Sequence, residues 1–497
     1  MTIENDDQKI SYLRNYLQKQ ELTIKCKKID ETEKDLGKFW CFLENAKIDN
    51  NFLQLPDGTY FLGDKKQGTI LYIRKCYLHL ADIIFNEKIN RCRITGNPGI
   101  GKTFFGYYLL YLLQKQNKTI VYHKARQYPI LFNKQYTFRS DNIFDFNEYL
   151  DNTDVWYIVD GQPPLEVHAK TILFCSPQKQ HYKEFDKMIG TSIRFMPAWS
   201  WNEINECRIG IFNHLEIAKV EDLYSRWGGI PRFVFEKALD SSQQNHLEEA
   251  INKCNTRLLD FVGEIDHADD ISHRIVHIHT NLPGEEEEKE DEETHYVNKF
   301  ILFASEWVAE KVIDKFEKSY NQQLKNFVTA SSSDNEYSTL RGVIFEQIAH
   351  RILQKGGTFY TRSLESDFTS TIDIPERIKL LFNDINKIEE DKYCQPIQKN
   401  VSSIDAIVAP HTLIQMTVSR NHPINVNGMN KLVEKLGGKS GTNHIYFYFV
   451  VPKDLYDKYQ AQPFYTNSQT VAKKIPSWIT NRVKQYALKI DLSTYSM

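Results

Sequence analysis

Short uninterrupted apolar runs alternate with amphipathic stretches along this chain, and the alternation predicts most of its elements. Cys92-Arg93-Ile94-Thr95 reads as a short strand, and Thr103 to Gln116, rich in Leu and Tyr, as the helix that follows it. Thr119-Ile120-Val121-Tyr122-His123 is a second strand, followed by a polar, aromatic stretch to about Asp154. Val155-Trp156-Tyr157-Ile158-Val159-Asp160 is apolar until its last residue, a pattern that suits a central parallel strand covered on both faces. Thr171-Ile172-Leu173-Phe174-Cys175 repeats that pattern and ends at Ser176. Strands of this kind separated by helices predict an α/β architecture.

The flanking regions are read the same way. Phe39-Trp40-Cys41-Phe42-Leu43 is an aromatic cluster. Phe52 to Leu62, with its Pro56-Asp57-Gly58 turn, reads as a hairpin or loop, and Tyr72 to Tyr77 leads into a helix through Ile84. Near the other end, Leu340 to His350 is an amphipathic helix and Gly357 to Ser363 a strand. An insertion of charged helix is expected next, then strands at Val401 to Val408 and His411 to Val418. A helix from about Ile424 to Leu436 and the apolar strand Ile445 to Val451 complete the pattern.

Composition sets the scale. A chain of 497 residues, 41% hydrophobic and 26% charged, has room for two or three domains. With a net charge of −3, any contact with nucleic acid must come from a local patch. The eight cysteines are scattered with no C-x-x-C pair, which argues for a reducing compartment and against zinc ribbons. The acidic start Met1 to Asp7 is no conventional signal peptide, and no apolar run is long enough to span a membrane. The run Gly284 to Glu293 repels itself and marks an approximate boundary. The organisation expected is a lead-in over 1–80, a nucleotide domain with helical extension over 81–280, an acidic linker and helix over 281–335, and a last domain over 336–497.

Candidate chemistry sharpens this picture at two places. Gly96-Asn97-Pro98-Gly99-Ile100-Gly101-Lys102-Thr103 fits G-x-x-x-x-G-K-[ST], a loop whose glycines let backbone N–H groups approach phosphates closely. Lys102 would reach the β- and γ-phosphates, Thr103 would hold Mg²⁺, and the helix start would face the nucleotide, ATP or GTP. Asp160, ending an apolar strand downstream, is the second acid expected to support Mg²⁺. Many ATPases carry Glu next, but Gly161-Gln162 follow here, and Glu166 is a substitute that nothing requires. Binding is thus better supported than fast hydrolysis. Ser176, with Gln178 nearby, is a candidate sensor of the γ-phosphate, against an ordinary strand-end polar residue. Arg232, in Trp227-Gly228-Gly229-Ile230-Pro231-Arg232, could complement phosphate charge as in AAA-like and signal-transducing ATPases, against a plain surface arginine. Asp266, His267, Asp269, Asp270, His273, His277 and His279 invite a metal reading. The alternation of Ile275 to His279 instead favours a half-buried strand with His277 and His279 on one polar face.

The second place is C-terminal. Glu346 and His350 lie four apart on one helix face, and Asp405 lies on a strand. The order helix-strand-strand-strand-helix-strand, with an acid on the first helix and another at the second strand, resembles restriction-endonuclease-like cores of the PD-(D/E)XK type. Phosphodiester hydrolysis needs hard oxygen ligands for Mg²⁺, and Asp405 and Glu346 are the candidates. Gln415-Met416-Thr417 stands where acid-x-lysine is usual. Gln415 can still coordinate through its carbonyl, but Thr417 cannot act as the lysine, so Lys431 or His422 would have to stand in. A degenerate nuclease fold used for binding is the alternative.

With the phosphate loop, Trp227 to Arg232, Ser272 to His277 and Gln415-Met416-Thr417-Val418-Ser419 together, the chain over roughly 50–497 resembles the Crinkler and retrotransposon-hot-spot effectors. That resemblance implies a P-loop NTPase followed by a restriction-endonuclease-like domain, delivered by a eukaryotic microbe into a host cell, often to the nucleus, to attack DNA. The chain departs from the family in lacking a recognisable secretion leader or ubiquitin-like header. The expected function is a nucleotide-regulated, Mg²⁺-dependent nuclease acting on DNA more than RNA, with no membrane partner and with a homo-oligomer left open. The alternative is a nucleotide-gated interaction or signalling effector with an inactive nuclease fold, placed in the cytoplasm or nucleus of the producing cell if it is not delivered. A DNA-translocating motor is a third reading, weakened by the lack of an acid after Asp160.

Overall fold

A computed structural model describes residues 31–134, 136–255, 272–283, 295–319, 321–329, 335–382, 385–396, 404–466 and 470–492. The acidic run Gly284–Glu293, with Asp266, His267, Asp269, Asp270 and the start of the strand expected at Val401, lies outside the described residues. The described residues form two compact units. One takes those within Met1–Gln244, Ile278–Asn281 and Asp291–Asn298. The other takes those within Asn245–His277, Leu282–Glu290 and Lys299–Met497.

The first unit begins with helix α1 (Glu31–Leu43) and a small antiparallel sheet of β1 (Lys47–Asp49), β2 (Phe52–Gln54) and β3 (Ile70–Tyr72), then helix α2 (Lys75–Phe85). Its main sheet is built from β4 (Arg91–Thr95), β5 (Ile120–Lys124), β6 (Ile130–Phe132), β7 (Thr137–Arg139), β8 (Trp156–Asp160), β9 (Lys170–Phe174) and β10 (Thr191–Phe195). Helix α3 (Lys102–Lys115) follows the loop after β4. The strand order is β10-β4-β9-β8-β5-β6-β7, with the first five strands parallel and the last two antiparallel. Every residue of β8 is buried, as its apolar run requires of a strand between two neighbours. The hairpin β6–β7 falls inside the stretch read as merely polar and aromatic. Three apolar residues, Ile130–Phe132, suffice to bury a strand there, too short a run for periodicity to expose.

After β10 come α4 (Trp201–Gly210), α5 (Ile217–Trp227) and a π-helical turn at Arg232–Glu236, then α6 (Ser241–Lys253) and β11 (Val276–Thr280). Ser200 caps α4 through a capping box with Glu203. His277 was expected on a polar strand face, but it is buried, and Ser272–Ile275 before it is a helical turn. His279 is half-buried, which lowers its imidazole pKa.

The second unit contains β12 (Lys299–Phe303), helices α7 (Glu306–Ser319), α8 (Asn321–Thr329) and α9 (Asn335–Lys355), and a sheet of eight strands. Those strands are β13 (Gly357–Ser363), β14 (Thr369–Ile374), β15 (Lys379–Phe382), β16 (Tyr393–Pro396), β17 (Ala406–Val408), β18 (Thr412–Met416), then, beyond the short pair β19 (Ile424–Asn425) and β21 (Phe464–Tyr465), β20 (Ile445–Pro452) and β22 (Val483–Ile490). Their order is β14-β13-β22-β20-β18-β17-β16-β15. Helices α10 (Val426–Leu432) and α11 (Ser477–Arg482) also belong to this unit. Leu413, Phe447, Phe449 and Val451 meet Met429, Leu432 and Ile479 in its core.

Three expectations are corrected here. The charged insertion is not helical: β14, β15 and β16 lie there, with a single 3₁₀ turn at Ile385–Lys387 among the described residues. The edge strands β14 and β15 alternate exposed with less exposed residues, and an exposed face carries charges as freely as a helix does, so composition misleads there. Gly357–Ser363, expected as the first strand of the core, lies instead beyond β22, and β16 takes its place beside β17. The helix expected from Ile424 starts at Val426, where the Asn425 side chain accepts the Gly428 N–H at 2.8 Å, and it gives way to a 3₁₀ turn after Leu432.

Candidate functional site

The phosphate-loop motif leaves β4 and enters α3. Three of its glycines take positive φ: Gly96 (140°), Gly99 (83°) and Gly101 (95°). The loop is also packed too closely for side chains. A Cβ on Gly96 would lie 2.7 Å from the Met196 carbonyl oxygen, and one on Gly99 would lie 2.9 Å from the Cβ of Arg232. Two aromatic donors hold its turn: Trp199 Nε1 donates to the Ile100 carbonyl at 2.8 Å, and the Tyr77 hydroxyl to the Gly101 carbonyl at 2.9 Å. Trp199 is fixed in turn by Gly229, where any Cβ would lie 2.0 Å from the Trp199 carbonyl oxygen. Beside it, buried Arg74 forks onto Glu203 and donates to the Pro197 and Ala198 carbonyls.

Inside this frame the charged groups converge. The Thr103 hydroxyl donates to Asp160 Oδ2 at 2.8 Å, joining the start of α3 to the end of β8. Lys102 Nζ donates to the Gly96 and Asn97 carbonyls, each at 2.9 Å. The side chain keeps partial exposure, but enclosure of the ammonium brings its pKa down to about 8. Cys175 and Asp160 oppose that shift, and Arg232 adds to it. Burial raises the Asp160 carboxyl above its usual range, against the Thr103 hydroxyl, Lys124 and Lys102. Lys124 is a cation the sequence reading missed. It pairs in register with Asp160 across β5 and β8, and a basic residue ending the neighbouring strand was its only signal. Arg232 is brought to the loop. Ser176 is half-buried just past β9, while Gln178 and Glu166 are exposed. Gln162 carries an enclosed Nε2 without a hydrogen-bond partner.

The second candidate site forms across β17 and β18. The Asp405 N–H donates to the Ile414 carbonyl at 2.8 Å, and Asp405 Oδ2 accepts Gln415 Nε2 and the Met416 N–H, each at 2.7 Å. Gln415 is 5% exposed, and its Oε1 is enclosed with no hydrogen-bond partner. An orphaned buried carbonyl oxygen beside a carboxylate is a donor set suited to a hard cation. On α9, Glu346 Oε1 stands 4.0 Å from His350 Nε2, and His350 Nδ1 shares a 2.7 Å hydrogen bond with the Tyr393 hydroxyl. The Tyr393 phenol is held well above its usual pKa by burial first and then by the negative charges of Asp405 and Glu346, which places both acids near it. Tyr393 and the His350 pairing were missed, because the β16 position was assigned to a helix.

The remaining candidates fare differently. Thr417 is buried, and its hydroxyl accepts the Ser419 N–H at 3.0 Å. Lys431 is exposed on α10 and forms no hydrogen bond or ion pair among the described residues. The His422 N–H donates to Gln462 Oε1 at 2.6 Å, which ties down the segment after β18. Among the described residues no three His, Cys, Asp or Glu side chains converge as a metal cluster. Also among them, no helix is long and apolar enough to cross a membrane.

No protein-family model matches the chain. It is similar to Crinkler effector protein 15 of Phytophthora infestans, 26% identical over 454 residues, and to Crinkler effector protein 16 of the same organism, 25% identical over 454 residues. Each match takes in 84% of this chain and 66% of the relative's length, so the chain spans just under two thirds of the relatives it matches. Among solved structures, the Thermotoga maritima RuvB Holliday junction branch migration motor matches 35% of this chain and 64% of its own. At 12% identity and a TM-score of 0.24 it shares too little to argue from. Over most of its length, then, this chain is similar to Crinkler effector proteins.

Proposed function

We propose that this chain is an effector in which a nucleoside triphosphate, ATP or GTP, bound with Mg²⁺ in the first unit controls a Mg²⁺-dependent nuclease in the second. The observation that carries the nucleotide half is the 2.8 Å bond from Thr103 to Asp160, next to a lysine held on loop carbonyls. Thr103 and Asp160 would hold Mg²⁺, and Lys102 and Arg232 would meet phosphate charge. When bound, the ion would neutralise phosphate charge alongside those two cations. Gly161 and Gln162 follow Asp160 without an acid, which supports slow turnover and a switch-like role.

The nuclease half rests on Asp405, Glu346 and the unpartnered Oε1 of Gln415. Asp405 and Gln415 would hold a divalent cation against a phosphodiester, with Glu346 completing the set. DNA is the proposed substrate, by resemblance to the Crinkler type, and a host cell the proposed place of action. One observation favours a second reading, a nucleotide-gated interaction protein that does not cut: Thr417 occupies the lysine's place and Lys431 is exposed.

Incubating the purified protein with plasmid and with RNA, with and without Mg²⁺ and ATP, separates the two. Metal-dependent nicking that responds to ATP in wild type but not in Lys102→Ala is the expected result. Binding of ATP without cleavage under Mg²⁺ or Mn²⁺ would move the conclusion to the interaction protein.

A further inference from the structure

We propose that Asn97 is a positioning residue whose side chain never meets phosphate, and that the nucleotide site is completed by the returning segment around Ile278. This inference rests on the nucleotide-binding reading above. Asn97 is the second residue of the phosphate loop and is fully buried. Its Nδ2 donates to the Ile278 carbonyl at 2.8 Å, and its Oδ1 accepts the Ile278 N–H at 2.8 Å. The backbone partners fix the amide's orientation, because a flipped amide would set donor against donor and acceptor against acceptor. Asn97 therefore pairs with Ile278 much as one strand residue pairs with another.

The same segment is secured twice more within the first unit. The Phe195 N–H at the end of β10 donates to the Tyr296 carbonyl at 2.7 Å, and the Tyr296 hydroxyl meets His79 Nδ1 at 2.9 Å. Asn281 Oδ1 accepts the N–H groups of Val297 and Asn298, holding the two stretches of the segment together. Loop, β10 and α2 thus all grip residues that lie far downstream in the chain.

The consequence follows from the backbone of Asn97. Its carbonyl accepts Lys102 Nζ while its side chain grips Ile278. An incoming phosphate competes with that carbonyl and with Gly96 for the ammonium, so nucleotide acts on the very residue that holds the segment. Linkage then requires reciprocity: what nucleotide does to segment docking, docking does to nucleotide affinity. With Asn97 truncated, the Ile278 N–H and carbonyl are left buried without partners, and the segment is released from the loop.

Hydrogen exchange at Ile278 in the full chain tests this, together with calorimetry of ATP and ADP in the presence of Mg²⁺. In wild type, ATP should change the exchange rate of the Ile278 amide while leaving β22 in the other unit unaffected. Asn97→Ala should speed Ile278 exchange without nucleotide, weaken ATP about tenfold and lower the melting temperature through the two unpartnered groups. Asn97→Asp keeps the acceptor and loses the donor, and should fall between the two. If wild type binds ATP with no change at Ile278, or if Asn97→Ala binds ATP as wild type does, the proposal is overturned. The wild-type measurement decides even where the variants fail to fold. Failure of wild type to bind either nucleotide, by contrast, removes the nucleotide-binding reading and this inference with it.

Discussion

The two candidate sites differ in how their residues reach one another. Around the phosphate loop, most of the chemistry is contiguous: Gly96 to Thr103 is one turn, and the one distant acid arrives on a strand of the same sheet. In the second unit nothing is contiguous. Glu346 comes from a helix, Tyr393 and Asp405 from the region of two neighbouring strands, and Gln415 from a third. A contiguous site is made by local backbone geometry and tolerates little change in residue type. A dispersed site is made by sheet register, so each member depends on which distant strand it meets. Loop chemistry follows from a local motif, whereas register-made chemistry depends on each residue's partner across the sheet.

The sharpest way to break the comparison is at Asp405. Asp405→Ala removes the carboxylate that Gln415 and the Met416 N–H both grip, and cleavage should fall by about 100-fold or more while nucleic-acid binding survives. Gln415→Ala should follow if the orphaned Oε1 is a ligand; a purely structural role would lower the melting temperature and leave cleavage intact. Plasmid nicking and gel-shift assays measure the two. Equal nicking by wild type and Asp405→Ala would leave the second unit without a cutting site.

At the loop, Lys102→Ala takes away the ammonium and should weaken triphosphate binding by about tenfold or more, roughly 1.4 kcal/mol. Unchanged ATP binding by calorimetry in a folded variant would remove the loop from the account. The same lysine gives a pH signature. Its free-state pKa is lowered to about 8, phosphate favours the charged form, and binding must therefore take up protons as pH approaches that value. Affinity should be greatest below pH 8 and decline as pH rises through it, by up to about tenfold between pH 7 and 9. Lys102→Ala should flatten that profile, and a wild-type profile already flat would show that the ammonium does not meet phosphate.

The smallest expected effect is at Tyr393. Tyr393→Phe keeps the ring but deletes the hydroxyl on His350, and should slow cleavage only about threefold to tenfold with KM unchanged. The ¹⁵N shifts of the His350 ring report its tautomer independently of activity. An unaltered tautomer together with an unaltered rate would make the pair ordinary packing.

How much was legible varied with distance along the chain. The strands β8 and β9 were readable because a run buried on both faces is apolar over nearly its whole length. The edge strands β14 and β15 were not, since an edge with exposed residues carries no such pattern. Asp405 and Gln415 were readable as residues but not as a bonded pair. Lys124 had only its place at a strand end to mark it, and Tyr393 lay in a stretch read as helix.

The sequence by itself determined the phosphate loop, the strand that ends in Asp160 and the parallel α/β character of the first unit. Glycine spacing and apolar runs are local constraints that any fold must satisfy where they occur. Only the tertiary structure decided that β16 and not Gly357–Ser363 lies beside β17, that Lys124 faces Asp160, and that Asn97 grips a residue 181 positions away. Each of those is a pairing between distant backbone segments, fixed by sheet order and register, and no local pattern of side chains encodes which distant partner a buried amide or strand will meet.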